Sequence, residues 1–343
     1  AGWLGIAMPE AQGGAGLGIT EAALMLQAVS ASGAGFSGAS AIHMNIFGLN
    51  PVVVFGSEAQ KQRMLPPLIA GFDKACFAVT EPDAGLDTTQ LKTQAVRDGD
   101  HYVLNGRKIW ISTAQVANKM LILARTTPMD QIDKPTKGLS LFYTDLDRQH
   151  VEVREIDKMG RAAVDSNMLF IDQLRVPVSD RIGEEGHGFT YQMMQFQEER
   201  LWAAASCLQS LANCIQWTVD WAQERQLFGA TLADQQWVQF KLAEMKTELE
   251  CLRALTHQAC AQYVQGKDVL ELASMAKLKA GRLNRLIPDG CLQFWGGMGF
   301  TLENKVARMY RDGRLGSIGG GADEVMLGII AKTMGVAKRP PRG

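Results

Sequence analysis

His101-Tyr102-Val103-Leu104-Asn105-Gly106-Arg107-Lys108-Ile109-Trp110-Ile111-Ser112 is the stretch around which the rest of the chain sorts itself. Two strand-like runs flank Asn105-Gly106, and an Asn-Gly pair in that position reads as a two-residue hairpin turn. Downstream, Met120 to Arg125, Leu139 to Thr144, Val151 to Ile156 and Asn167 to Leu174 repeat the strand texture. Asp, Gly and Pro separate these runs at short spacing, with no long helical pattern between them. Residues 75–182 are therefore expected to form a central antiparallel β-barrel or sheet domain.

The flanks are helical. In residues 1–74, Thr20-Glu21 opens an apolar run from Ala22 to Val29, and Ser57-Glu58-Ala59-Gln60 caps a second helix expected to end before Pro66-Pro67. In residues 183–343, Phe189 to Gln223, Leu232 to Gln265, Val269 to Phe294 and Asp323 to Val336 carry apolar residues at three- and four-residue steps. The expectation is an α+β fold: an N-terminal helical domain, the central β domain, and a C-terminal four-helix bundle with a Pro- and Arg-bearing tail from Lys338 to Gly343.

Composition narrows the function. At about 150 residues per domain, 343 residues suggest roughly two domains or one large one. Lys plus Arg is 35 against 36 Asp plus Glu, a net charge of −1 that argues against nucleic acid or an anionic membrane as partner. No apolar run approaches the roughly 18 residues of a membrane span. Six cysteines without a CxxC pair read as reduced thiols, pointing to a cytosol-like compartment. Five scattered histidines without HExxH point to no metal. The chain opens at Ala1 with nothing like a signal peptide.

Five segments could carry chemistry. Gly33-Ala34-Gly35-Phe36-Ser37-Gly38 matches GxGxxG but follows a helical run instead of a strand, which makes it an interhelical turn. Phe77 to Thr89 stops an apolar strand at Pro82 and continues into Gly, hydroxyls and carboxylates, as either a ligand loop or a solvated turn. Trp110-Ile111-Ser112 could stack a planar ligand and bond its edge, or Trp110 could simply fill the core. On the stripe Phe189, Met193, Phe196, Ala203, Cys207, Leu211, the position of Glu199 or Arg200 faces inward, while Glu198 points more toward solvent. A carboxylate buried there should have a raised pKa and suit a general base, or else pair with Arg200. Gly319-Gly320-Gly321-Ala322-Asp323-Glu324 leads into the last helix, where free N–H groups could hold an oxyanion or simply start the helix.

These segments together resemble the acyl-CoA dehydrogenase family of flavoproteins, collinearly and over essentially the whole chain. The resemblance runs through Met8-Pro9-Glu10-Ala11-Gln12-Gly13-Gly14-Ala15-Gly16-Leu17-Gly18, Thr80-Glu81-Pro82-Asp83-Ala84-Gly85 and Asn105 to Ser112. It continues in Glu224-Arg225-Gln226-Leu227-Phe228-Gly229, Gln293-Phe294-Trp295-Gly296-Gly297-Met298-Gly299-Phe300 and Tyr310-Arg311-Asp312. The family's first one or two helices are not matched, so an N-terminally truncated chain is expected.

The resemblance implies FAD, served by the β domain and the C-terminal bundle together. Phe77, Val79, Thr80, Gly85, Leu86, Trp110, Ile111 and Ser112 would line the isoalloxazine. Arg225, Phe228, Gln235, Gln293, Gly296 and Gly297 would serve the pyrophosphate and adenosine, largely of a neighbouring subunit's FAD, which implies a homodimer or homotetramer. Ala322 and Glu324 complete the implied cofactor set. Leu86, Gln197, Arg200 and Gly320 are the implied substrate contacts.

The implied reaction is α,β-dehydrogenation of an acyl-CoA thioester, as in fatty acid β-oxidation, with electrons passed to electron-transfer flavoprotein. Most members place the catalytic base in a Tyr-Glu-Gly-Thr run, which here reads Gly319-Gly320-Gly321-Ala322. Isovaleryl-like and long-chain-like members carry it in Glu-Arg-Leu on a bundle helix, matched by Glu199-Arg200-Leu201. Glu199 is thus the implied base, and the backbone N–H of Gly320 the implied donor to the thioester oxygen. Departures fall at Leu86, where a CoA-binding serine is common, at Gln197, where Asp is frequent, and at Ala322. An acyl-CoA oxidase, a flavin monooxygenase or a non-catalytic flavin or acyl-CoA binding protein are the alternatives on this scaffold. The implied compartment is cytoplasmic, or the mitochondrial matrix if a transit peptide was lost.

Overall fold

The computed structural model describes residues 2–47 and 49–336. The chain folds into two compact units. The first holds the segment up to Ala22, Ser40–Lys158 and Ala162–Phe196; the second holds Ala23–Ala39, Met159–Arg161 and the chain from Gln197 onward.

The N-terminal helices are α1 (Ile19–Val29), α2 (Gly35–Phe47), α3 (Asn50–Phe55) and α4 (Glu58–Ile69). Ser57 caps α4 as expected: its hydroxyl accepts from Gln60 N at 3.2 Å while Ser57 N donates to Gln60 Oε1 at 2.9 Å. The helix does not stop before Pro66-Pro67 but runs through both to Ile69. The carbonyls deprived of donors belong to Gln62 and Arg63, both exposed, where water can replace the missing N–H. A π-helical turn at Ser30–Ala34, kinked at Gly33 (φ 91°), leads from α1 into α2. A helix precedes the GxGxxG segment, as the sequence suggested.

Eight strands form one sheet: β1 (Ala75–Ala78), β2 (Gln94–Asp98), β3 (His101–Ser112), β4 (Lys119–Arg125), β5 (Leu139–Asp145), β6 (Val151–Glu155), β7 (Ser166–Pro177) and β8 (Arg181–Ile182). Their order is β6-β7-β3-β2-β4-β5-β8, with β1 beside β4. The sheet is open and mixed, not purely antiparallel, because β1 runs parallel to β4 from Ala75↔Lys119 to Ala78↔Ile122. Strand β4 is buried on both faces. Met120, Ile122 and Ala124 join one core with Tyr102, Leu104, Phe142 and Leu169, while Leu121 and Leu123 join another with Leu65, Leu68, Leu141 and Tyr143.

The Asn105-Gly106 hairpin is not formed. β3 is one continuous strand, and the turn lies earlier, at Gly99-Asp100, where Asp98 pairs with His101 and Gly99 has φ 61°. At Asn105-Gly106 the pairing with β7 slips instead. Asn105 Oδ1 accepts from Gln173 N at 2.8 Å, and a Cβ on Gly106 would fall 2.4 Å from Thr93 Oγ1. The glycine serves close approach of backbone, not a turn.

The C-terminal helices are α5 (Gly188–Glu224), α6 (Gln236–Val264), α7 (Leu270–Trp295), α8 (Lys305–Gly313) and α9 (Asp323–Thr333). A short hairpin, β9 (Gln226–Leu227) with β10 (Ala230–Thr231), joins α5 to α6. In the second unit Leu208, Leu211 and Ile215 of α5 meet Val238, Leu249 and Leu252 of α6 and Ala276, Ala280, Leu283 and Ile287 of α7. The four expected helices are present, and α8 adds one that periodicity did not reveal. Its cap is explicit: Asn304 Oδ1 accepts from Val306 N at 2.8 Å and Ala307 N at 3.2 Å. Among the described residues no helix is long and apolar enough to cross a membrane.

Candidate active site

In the first unit, the chain leaves β1 into the loop Val79–Leu86, whose shape is set by Glu81. Its carboxylate is buried and accepts from Lys92 N at 2.6 Å, Thr93 N at 2.9 Å and Lys108 Nζ at 2.9 Å. Lys108, 0% exposed, also donates to Val79 O at 3.0 Å and Leu123 O at 2.8 Å. Burial pushes the Glu81 pKa up, but the Lys108 ammonium and the N–H donors outweigh it, and the net shift is downward. Burial lowers Lys108 to about 8, with Glu81 opposing. The loop is thus an ordered platform: Ile109 N donates to Thr80 O at 2.9 Å, and Glu81 and Ala84 bond each other's backbone. Gly85 and Leu86 stand outward, Leu86 65% exposed.

On β3 the pairing slips again between Lys108 and Ile111. This bulge breaks the alternation so that Lys108 and Ile111 both face inward and Trp110, at φ 63°, turns out to 59% exposure. A non-glycine in the left-handed region is held at a cost of about 1–2 kcal/mol, and such strain gathers at ligand sites. The core-tryptophan alternative is excluded. The side chains of Val79 and Ile111 lie in the cores, so what they offer a ligand is backbone. Phe77, Thr80 and Ser112 are half-buried.

In the second unit, Glu199 and Arg200 lie on α5. Burial raises the Glu199 carboxyl from 4.5 to about 7; Arg200 opposes and Glu198 adds to the rise. Arg200 is the more buried of the two, and its Nη1 has no hydrogen-bond partner among the described residues. Burial lowers the Arg200 pKa, with Glu199 opposing. Gln197 is half-buried. Glu198 does not face solvent as the stripe implied: it is half-buried and accepts from the Tyr263 hydroxyl of α6. Burial raises its pKa, and that bond partly offsets the rise.

The glycine run before α9 bends sharply, with φ 64° at Gly320 and 94° at Gly321. Gly320 is exposed, and a Cβ there would meet nothing within 4 Å. Ala322 is the buried N-cap of α9, and Glu324 of its first turn is exposed. The segment rests on Lys277 of α7, whose ammonium donates to Gly316 O at 2.9 Å and to Gly321 O.

The remaining sequence-predicted residues gather where α5, β9-β10 and the end of α7 meet. Trp221 stacks on Trp295 with ring centroids 4.6 Å apart, and the Arg225 guanidinium lies 6.0 Å from the Trp221 ring. Arg225 is therefore brought near the C-terminal end of α7, where Gln293, Gly296 and Gly297 are exposed. Phe228, 97% exposed at φ 51°, forms the hairpin turn, and Gln235 caps α6.

Sequence reasoning missed the Glu81–Lys108 pair and Lys277. Both lysines carried a signal: Lys108 follows the inward alternation of Tyr102 and Leu104, and Lys277 sits on the α7 face with Ala273, Ala276 and Ala280.

Three acyl-CoA dehydrogenase sequence profiles match the chain: the N-terminal domain at residues 1–72, the middle domain at 76–174 and the C-terminal domain at 186–335. A long-chain specific acyl-CoA dehydrogenase of Sus scrofa mitochondria is 34% identical over 336 residues, covering 96% of this chain and 76% of the relative. The caffeyl-CoA reductase-Etf complex subunit CarC of Acetobacterium woodii is 32% identical, covering 96% and 86%. The crystal structure of a probable acyl-CoA dehydrogenase from Mycobacterium abscessus matches with a TM-score of 0.92 at 34% identity, covering 97% of this chain and 88% of that one.

Proposed function

The chain belongs to the acyl-CoA dehydrogenase family, and on that premise we propose that Glu199 is the base of an FAD-dependent α,β-dehydrogenation of an acyl-CoA thioester. The observation that carries the assignment is a half-buried carboxyl raised to about 7, in a chain whose residue 320 has no side chain. A carboxylate of that pKa is half ionised near neutrality and strong enough as a base to take a weakly acidic proton.

The residues fit FAD. Trp110 presents an exposed ring held by a strained bulge, Ser112 and the Thr80–Leu86 backbone offer polar partners, and the space at Gly85 is open. Arg225 near the glycines that follow α7 suits a pyrophosphate, since a guanidinium pairs bidentately with phosphate oxygens. Bound FAD supplies the acceptor for the hydride leaving the β carbon. Glu199 removes the α proton, and the electron pair of that C–H bond becomes the new α,β double bond. The N–H of Gly320 donates to the thioester oxygen as negative charge builds there, and Arg200 contacts the substrate beside the base. Leu86 and Gln197 are the remaining substrate contacts.

Electron-transfer flavoprotein as the electron partner is supported by the relative that is named a subunit of an Etf complex. A homodimer or homotetramer is supported by Phe228, Trp237, Phe240 and Phe300, all exposed on the second unit. The same relative is a reductase, and Glu199 would serve that direction as the acid by microscopic reversibility. Exchanging Glu199 for Gln tests the reading: FAD content should persist while anaerobic bleaching by acyl-CoA slows by about 10²–10⁴-fold. Bleaching at the wild-type rate would remove Glu199 from the role and turn attention to Glu198.

A further inference from the structure

α7 lays one face along the segment that leads into α9. Lys277, Gly281, Asn284 and Arg285 occupy successive turns of that face. The ammonium of Lys277, 2% exposed, donates to the carbonyls of Gly316 and Gly321. A Cβ at Gly281 would fall 2.7 Å from Gly316 O and 3.0 Å from Asp323 Oδ1, so a glycine is what lets the segment lie this close. Arg285 reaches Asp323 at 3.4 Å, fixing the first residue of α9.

Between the two carbonyls held by Lys277 lie Ser317, Ile318, Gly319 and Gly320. Three consecutive glycines at 319–321 lose more conformational freedom on ordering than any other residue type would. Gly320 contributes no side chain to hold its own peptide in place. We propose that Lys277 is the positioning residue of this site: by bonding the chain on both sides of Gly320, it aims the Gly320 N–H at the thioester oxygen. The proposal rests on the reading of Gly320 as the oxyanion donor. A donor must be fixed before charge develops to stabilise it without reorganisation, and a buried ammonium with several N–H donors can hold two carbonyls at once. Burial lowers the Lys277 pKa to about 8 and Arg200 adds to the fall, while the carboxylates of Asp323 and Glu324 oppose it.

The test uses the FAD-loaded enzyme with Lys277→Met, which keeps the aliphatic stem and removes the donors, and Lys277→Gln, which restores a shorter donor. The probe is a 3-thiaacyl-CoA, whose α proton can leave but whose sulfur at the β position has no hydride to give. Its ionisation on the enzyme is read as a long-wavelength flavin absorbance. Lys277→Met should bind the probe within about threefold of wild type, ionise it only at a pH raised by about one to two units, and slow substrate-driven flavin reduction by about 10²-fold. Lys277→Gln should recover part of both losses. Unchanged probe ionisation and reduction rate in Lys277→Met would overturn the role, and so would a loss confined to probe affinity. If Lys277→Met does not accumulate as folded protein, Lys277→Gln decides alone, with wild-type ionisation counting against the role. If the wild-type enzyme itself fails to ionise the probe, the proposed site of Glu199 and Gly320 is what fails, and the role of Lys277 falls with it.

Discussion

With Glu199 as the proposed base, its raised pKa should set the shape of the acid limb of catalysis. Burial lifts the carboxyl from 4.5 to about 7, against the pull of Arg200 and with the repulsion of Glu198. A base must be ionised to act, so kcat/KM should follow the ionised fraction of Glu199 in the free enzyme. With a pKa near 7 that fraction rises from about 3% at pH 5.5 to about 50% at pH 7, roughly a fifteen-fold gain. With the ordinary value of 4.5 it would rise by only about a tenth over the same interval. Replacing Arg200 by Met removes a neighbouring cation that favours the charged form. At the effective dielectric of a protein site, a neighbouring charge is worth on the order of one pKa unit, so the limb should move up by about that much. The assay is anaerobic stopped-flow reduction of the flavin at subsaturating acyl-CoA, from about pH 5.5 to 8.5. A flat wild-type profile from pH 5.5 to 7, or a limb that Arg200→Met leaves in place, would show that Glu199 is not the titrating base.

Two other perturbations test the platform in the first unit. Glu81→Gln strands the Lys108 ammonium in the interior and should cost about 3–5 kcal/mol in denaturant unfolding, with loss of FAD retention; a change below about 1 kcal/mol would show the pair to be dispensable. Because the Glu81 pKa is lowered in the folded state, its contribution is present above the unfolded value of 4.5 and is lost as pH falls through the folded one. Gly106→Ala should lower stability by about 1–3 kcal/mol, since the new Cβ would lie 2.7 Å from Thr93 Cα and neither backbone can retreat; wild-type stability in that variant would contradict the reading.

Long-period patterns survived the passage from sequence to structure best. α5, α6 and α7 repeat their apolar positions over many turns, and β4 and β5 are apolar runs buried on both faces, so each announces itself. Local rules failed where a tertiary neighbour outweighed them. Asn105-Gly106 has the composition of a turn, but Thr93 against Gly106 and Gln173 on Asn105 keep it inside a strand. Pro66 and Pro67 fall where exposed carbonyls tolerate the missing donors. α8 spans only Lys305–Gly313, too short for its pattern to stand out. The inward position of the Glu199 carboxyl was legible because a carboxylate on an apolar stripe is conspicuous. Glu198 was misplaced because its partner, Tyr263, lies on α6, and no spacing along α5 could reveal it. The outward turn of Trp110 depends on a bulge set by pairing with β7, which sequence alternation alone does not contain.

Dehydrogenation by a bound flavin is tested by the visible spectrum of the purified protein under anaerobic conditions, before and after straight and branched acyl-CoAs are added. The expected result is an oxidised flavin band that a saturated acyl-CoA bleaches, with the matching 2-enoyl-CoA as product. Open space at Gly320 predicts further that long or branched thioesters bleach it at least as fast as butyryl-CoA. A protein that cannot be loaded with flavin, or a flavin that no thioester in the series reduces, would contradict it.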